Sequence, residues 1–259
     1  MDLKLVNQVV FIAGSSRGIG KAIAAALLAE GASVVLTGRD ESSLRATHLE
    51  LTTPINQDRI LAIRGDFADT GTIDRAFERA AHHFGKIDHM IANLGTGKGK
   101  PGWEQEEAEW TRLFELNFFA SVRLTQGVLP HLLSSGKGGS ILYISSITGV
   151  EATAAPLPYS AAKAALVNYS KNLARQLGAQ KVRVNAIAPG NILFPGGSWE
   201  TRLNSGRAAV DLMLKHEVPL QRFGTPEEIA SLAVYLCSPL AAFATGGCFV
   251  MDGGQTRSV

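Results

Sequence analysis

At 259 residues, 46% of them hydrophobic and 19% charged, the chain has enough apolar surface for a sizeable core and lies far from the composition of a disordered protein. Its 25 basic and 23 acidic side chains leave a formal net charge of +2, which points to neither nucleic acid nor a membrane as partner and makes a small molecule the default ligand. The apolar run near the N-terminus stops at Gly14, which does not suit a signal peptide, and no apolar stretch is long enough to span a bilayer. Cys237 and Cys248 lack CxxC spacing, so both are expected to be free thiols in a reducing cytoplasm. The histidines are scattered, with His82 and His83 adjacent rather than at a ligand-bearing helical spacing, so no metal site is expected.

In chain order, "QVVFIAG", "ASVVLTG", "RILAIRGD", "IDHMIAN", "GGSILYISS", "KVRVNAIAP" and "GCFVMDGG" read as strands apolar on both faces, the pattern of buried parallel strands. Helix-like segments alternate with them, among them 19–30, 72–84, 106–133, 159–177 and 226–237. Strict alternation predicts an α/β fold, a Rossmann-type doubly wound parallel sheet of about seven strands in a three-layer α/β/α sandwich, built as a single domain over 1–259. Two stretches break the rhythm, "LGTGKGKPGW" and the long irregular insertion at 190–219. Both follow carboxyl ends of strands, where ligands bind in this architecture, and the second is long enough for a substrate lid.

"AGSSRGIG", residues 13–20, leaves the first strand and opens a helix. Gly14, Gly18 and Gly20 permit a tight turn, close approach of a phosphate to the backbone and close helix packing. An ordinary strand-to-helix turn looks similar, but the strand before and helix after favour dinucleotide binding. The spacing G-x-x-x-G-x-G, followed in order by Gly65-Asp66, "ANLG", Asn117, "ISSITG", "YSAAK", "NAIAPG", "GTPEEIA" and "MDGG", resembles the short-chain dehydrogenase/reductase family in its compact form, 3-oxoacyl-[acyl-carrier-protein] reductases in particular.

The resemblance implies that Gly14, Ser16, Arg17, Gly18, Ile19, Gly20, Asp66, Phe67, Asn93, Gly95, Pro189, Gly190 and Ile192 contact a nicotinamide dinucleotide. The family's NAD-binding acid would stand at Gly38, and Arg39 comes next. Arg17 and Arg39 together could hold a ribose phosphate by charge-assisted bonds, so NADP(H) is expected over NAD(H). Either arginine could instead be an exposed loop residue, and Asp40 could bind ribose or cap the following helix.

Tyr159 and Lys163 are four apart on one helix face. A phenol has a pKa of about 10, and a cation about 6 Å away at an effective dielectric of about 20 is worth roughly 2.8 kcal/mol, near two pKa units. Lys163 is therefore expected to bring Tyr159 most of the way to neutrality. Alone, such a pair is ordinary helix surface; the resemblance makes Tyr159 the general acid/base, Lys163 its partner and a contact of the nicotinamide ribose. It also makes Ser146, three residues before Gly149, the carbonyl-binding serine, with strand alternation turning Ser145 away. It implies that Asn117, otherwise a mid-helix asparagine, holds a water on the proton path at a local helix distortion.

The implied activity is NADP(H)-dependent interconversion of a ketone and a secondary alcohol, on a 3-oxoacyl thioester or other small ketone, by a cytoplasmic homotetramer or homodimer. The alternative is a catalytically silent NADP-binding regulator of the same fold. "ANLG" and Phe194 depart from the family pattern, leaving the loop by the nicotinamide and one phosphate contact open. Leu94, Phe194, Trp199 and Met213 are candidates to line an apolar substrate cavity, or to fold back on the body. Lys98 and Lys100 could greet an acidic substrate or stand as solvated loop charges.

Overall fold

The computed structural model describes residues 1–257 apart from 101 and 135, so the last two positions of the expected 1–259 domain lie outside the described residues. Strands β1 (Val9–Ala13), β2 (Ser33–Gly38), β3 (Ile60–Arg64), β4 (His89–Ala92), β5 (Gly139–Ile144), β6 (Val182–Pro189) and β7 (Cys248–Met251) pair in parallel. Their order is β3-β2-β1-β4-β5-β6-β7, so the winding reverses between β1 and β4 and opens a crevice at their carboxyl ends.

Side chains alternate across this sheet. Val10, Ile12, Val34, Leu36, Ile91 and Leu142 share one cluster with helices α1 (Gly18–Ala29), α2 (Glu41–Leu51) and α8 (Pro226–Cys237). Phe11, Val35, Met90, Ile141, Tyr143 and Val184 share the other with α3 (Thr70–Phe84), α5 (Ala120–Ser134) and α6 (Leu157–Leu177). Both faces are covered, which explains why the strand runs are continuously apolar; each buried Val, Leu or Ile stabilises by roughly 1.5–3 kcal/mol.

Two expectations need correction. The helix expected over 106–133 is α4 (Glu107–Phe114), a π-helical turn (Glu115–Phe119) and then α5. At the turn the Ala120 amide donates to the Glu115 carbonyl, five residues back. The insertion at 190–219 is not irregular throughout: it contains α7 (Ser198–Glu217), interrupted at Gly206 with φ −173° and ψ 64°. Only Val210 and Leu214 of α7 are buried, in a small cluster apart from the main core with Val218, so its apolar stripe is too thin and too interrupted to read in sequence. Among the described residues no helix is long and apolar enough to cross a membrane, and no group of His, Cys, Asp and Glu could hold a metal ion.

Candidate active site

The glycine-rich turn is braced from three sides. Asn93, just past β4, donates its side-chain amide to the Gly14 carbonyl at 2.7 Å, and the Thr37 hydroxyl on β2 accepts the Gly14 amide at 3.0 Å. Ser15 accepts the Thr37 amide at 2.8 Å and donates to the Ile12 carbonyl at 3.0 Å. A side chain at Gly20 would collide with the Gly14 carbonyl, so this position requires glycine for α1 to start so close to the turn. Ser15 and Thr37 escaped the sequence reading, although two small polar residues inside apolar strand ends are a readable signal of such bracing.

Beside this turn lies a cavity of about 300 Å³ lined by Gly14, Ser16, Arg17, Ile19, Arg39, Asp66 and Phe67. Asp40 accepts the Ser43 amide at 2.7 Å and the Ser42 hydroxyl at 2.8 Å, so it caps α2, and these hydrogen bonds hold its carboxyl at about 2. Arg17 reaches across to the Gly196 carbonyl at 3.2 Å, while the Arg39 carbonyl accepts from Arg64 at 3.4 Å. Both arginines line this cavity.

At the other end of the trough, Ser146 follows β5 and caps a single 3-10 turn (Ile147–Gly149), its hydroxyl accepting the Thr148 amide at 3.3 Å. Ser145 turns the other way and donates to the Lys163 carbonyl at 3.1 Å, tying the strand end to α6. Tyr159 stands in the first turn of α6 and Lys163 one turn later, its Nζ 6.0 Å from the Tyr159 ring centroid. The Lys163 ammonium is buried and donates to the Ile144 carbonyl at 2.9 Å.

The titration of this pair corrects one expectation. Burial raises the Tyr159 phenol above its ordinary value, and the opposing pull comes from a hydrogen bond with the Ser146 hydroxyl, not from Lys163. Burial also draws Lys163 down to about 8. The simple Coulomb estimate counted only the attraction of a charged lysine and left out the desolvation that burial imposes on both groups.

Asn117 lies in the π-helical turn and is buried. Its Oδ1 accepts the Thr96 amide at 3.0 Å, and its Nδ2 donates to the Thr96 carbonyl at 3.1 Å and the Leu113 carbonyl at 2.9 Å. The side chain therefore clamps the loop after β4. Gly95 in that loop has φ +148°, and any side chain there would meet Asn117 Oδ1 and crowd Lys163 Nζ.

Tyr159, Lys163, Ser146 and Asn117 open into a cavity of about 970 Å³, also lined by Leu94, Pro189, Gly190, Ile192, Phe194, Trp199 and Met213. Ile19, Asn93, Leu94, Gly95, Thr96 and Phe194 line both cavities, so the two form one trough from Arg39 to Tyr159, which suits an extended dinucleotide. Phe194 packs its ring against Gly18, between the two ends. Trp199 packs against Phe223 with the rings tilted by 54° and their centroids 5.3 Å apart, and the Arg202 guanidinium lies over it at 4.7 Å. Lys98 and Lys100 are exposed and line neither cavity.

The family model described as Enoyl-(Acyl carrier protein) reductase matches residues 13–256. The chain is 31% identical to the 3-oxoacyl-[acyl-carrier-protein] reductase FabG of Aquifex aeolicus (strain VF5), over 98% of this chain and 100% of the relative. Among solved structures it is similar to L-sorbose reductase from Gluconobacter frateurii complexed with NADPH and L-sorbose, with TM-score 0.92, 33% identity and full coverage of both chains. It is also similar to a 7α-hydroxysteroid dehydrogenase complexed with NADH and 7-oxo glycochenodeoxycholic acid, with TM-score 0.89, 30% identity, and coverage of 99% of this chain and 97% of the other. With the sheet order, the glycine-rich turn and the Ser146, Tyr159 and Lys163 cluster in place, these matches show that the chain belongs to the short-chain dehydrogenase/reductase family of nicotinamide-dependent oxidoreductases acting on ketones and alcohols.

Proposed function

We propose that the chain is an NADP(H)-dependent oxidoreductase interconverting a ketone and a secondary alcohol, with Tyr159 as general acid/base. The observation that carries it is the gathering of Ser146, Tyr159 and buried Lys163 on the lining of one cavity, continuous with a second cavity that Arg17 and Arg39 line. Bound in this trough, a reduced nicotinamide supplies the hydride that goes to the carbonyl carbon. The Ser146 and Tyr159 hydroxyls hold the carbonyl oxygen, and Tyr159 gives it a proton as negative charge develops there. Lys163 uses one N–H on Ile144, leaving two for the ribose and for Tyr159. Tyr159 is reloaded by way of Lys163, and Asn117 helps by holding a water on the proton path to that lysine.

The commitment of Asp40 to its helix cap leaves Arg17 and Arg39 as the charges facing a ribose 2′-phosphate, which supports NADP(H) over NAD(H). A small ketone or 3-oxoacyl thioester is the substrate, 190–219 acts as the lid, and the protein works as a cytoplasmic homotetramer. In Tyr159→Phe, NADPH-dependent ketone reduction is expected to fall at least a thousandfold while NADPH binding, read by fluorescence titration, stays within about threefold. Substantial residual reduction would refute Tyr159 as the acid.

A further inference from the structure

The loop after β4 carries glycine at three alternate positions, Gly95, Gly97 and Gly99, and the fold accounts for only two of them. At Gly95 the backbone has φ +148°, and a Cβ would fall on Asn117 Oδ1. At Gly99 a Cβ would come within 3.1 Å of Glu109 Oε1 and of Pro156 Cβ, and within 3.2 Å of a Leu113 methyl, closer than ordinary packing allows. Gly97 meets neither condition. Its backbone lies outside the left-handed region, and the three atoms nearest to an added Cβ would be Cε1, Cζ and Cε2 of Tyr159, at 3.7, 3.7 and 4.0 Å, ordinary van der Waals separations.

Mobility does not explain this glycine either, because the chain is pinned on both sides of it. Thr96 is held by Asn117 through its amide at 3.0 Å and its carbonyl at 3.1 Å. The Lys98 amide donates to the Thr96 hydroxyl at 3.1 Å, and the Lys98 carbonyl accepts from the Arg112 guanidinium at 2.8 Å, which Glu109 fixes in turn at 2.7 Å. Alanine in such a position would stabilise the fold by restricting the unfolded chain, so glycine here forgoes stability. Its reason lies outside the fold, in the cavity it faces. Gly97 lines the 970 Å³ cavity with Tyr159 and Leu94, and it does not line the cavity beside Arg39.

We infer that Gly97 is a specificity-determining residue, which leaves room beside the Tyr159 ring for a wide group, aryl or branched alkyl, bonded directly to the carbonyl carbon of the substrate. The three atoms a Cβ would meet are those at the hydroxyl end of the ring, and the hydroxyl itself is not among them, so the methyl would lie over the ring face next to the reacting oxygen. A carbonyl oxygen held by the Tyr159 and Ser146 hydroxyls brings its carbon, and that carbon's own substituents, to this end of the ring. An unbranched chain needs no such room, whereas a wide group would collide with a side chain at this position. Leu94 supplies apolar surface on the same lining. The inference rests on the ketone reductase reading above.

The test compares NADPH oxidation by the purified protein with acetophenone, 2-butanone and an acetoacetyl thioester, in wild type and in Gly97→Ala and Gly97→Val. Gly97→Ala adds its methyl at an unstrained position, so its urea midpoint is expected at or above that of wild type, and NADPH binding by fluorescence titration within about twofold. Wild type is expected to prefer acetophenone, Gly97→Ala to lower the ratio of kcat/KM for acetophenone over 2-butanone about tenfold, and Gly97→Val to lower it further. A wild type that prefers 2-butanone or the thioester overturns the inference and leaves the reductase reading intact. An unchanged ratio in Gly97→Ala, with both ketones untouched or both slowed equally, removes Gly97 from substrate selection. Turnover of none of the three by wild type overturns the reductase reading as well.

Discussion

Tyr159 and Lys163 face one another across a single helical turn, and their environment inverts the simplest electrostatic expectation. Both are desolvated, so each group's neutral form is favoured, and the Ser146 hydroxyl is what lowers the cost of the phenolate. Tyr159 thus rests as a protonated donor, the form reduction of a carbonyl needs. At the other end, Arg39 flanks the cavity and Asp40, its neighbour, is spent on the α2 cap. Arg39→Asp should lower the kcat/KM preference for NADPH over NADH by roughly tenfold to a hundredfold, the worth of a charge-assisted contact replaced by a repulsion. An unchanged preference, measured with both cofactors at saturating ketone, would remove Arg39 from cofactor selection.

Among the elements, the π-helical turn between α4 and α5 has the clearest purpose. It places Asn117 so that one side chain makes three hydrogen bonds, two to Thr96 and one to Leu113, and thereby fixes the loop carrying Leu94 and Gly95 beside Lys163. Asn117→Ala leaves those backbone groups unpaired in a buried site and should cost roughly 2–4 kcal/mol of stability by urea unfolding. A loss under about 1 kcal/mol would mean the turn holds its shape without the clamp. Helix α7 is built differently. The segment before it touches the glycine-rich turn through Arg17 on Gly196 and Phe194 on Gly18, while α7 itself buries only Val210 and Leu214 in a small separate cluster.

For the whole molecule, the two edges of the sheet divide the work. Ser146, Tyr159 and the glycine-rich turn gather at the carboxyl edge, while the amino edge carries buried polar groups with structural duties. There Arg183 donates to the Leu236, Cys237 and Ser238 carbonyls that end α8, at 2.7, 3.2 and 3.3 Å. His89 on β4 bonds Ser140 on β5 at 2.8 Å, and burial pulls its pKa from 6.5 to about 4. The unfolded chain therefore binds this proton more readily than the folded one between those values. Stability from this group is complete above pH 6.5 and falls by about 3 kcal/mol as pH drops toward 4. His89→Leu should flatten the pH dependence of the urea midpoint across that window; an unaltered slope would assign the acid sensitivity elsewhere.

The strand runs, their alternation with helices and the glycine-rich turn were legible in the sequence because each depends on local periodicity or on residues a few positions apart, whereas Ser146, Tyr159 and Lys163 stood out only through the family resemblance. Long-range packing decided the rest. Whether Asp40 capped a helix or met a ribose, that Ser145 anchored the Lys163 backbone, and that Asn117 clamped Thr96 all depended on partners brought together by the fold. The pKa values of Tyr159 and Lys163 depended on burial, which no spacing reports. Helix α7 stayed hidden because its apolar contacts are few and broken at Gly206.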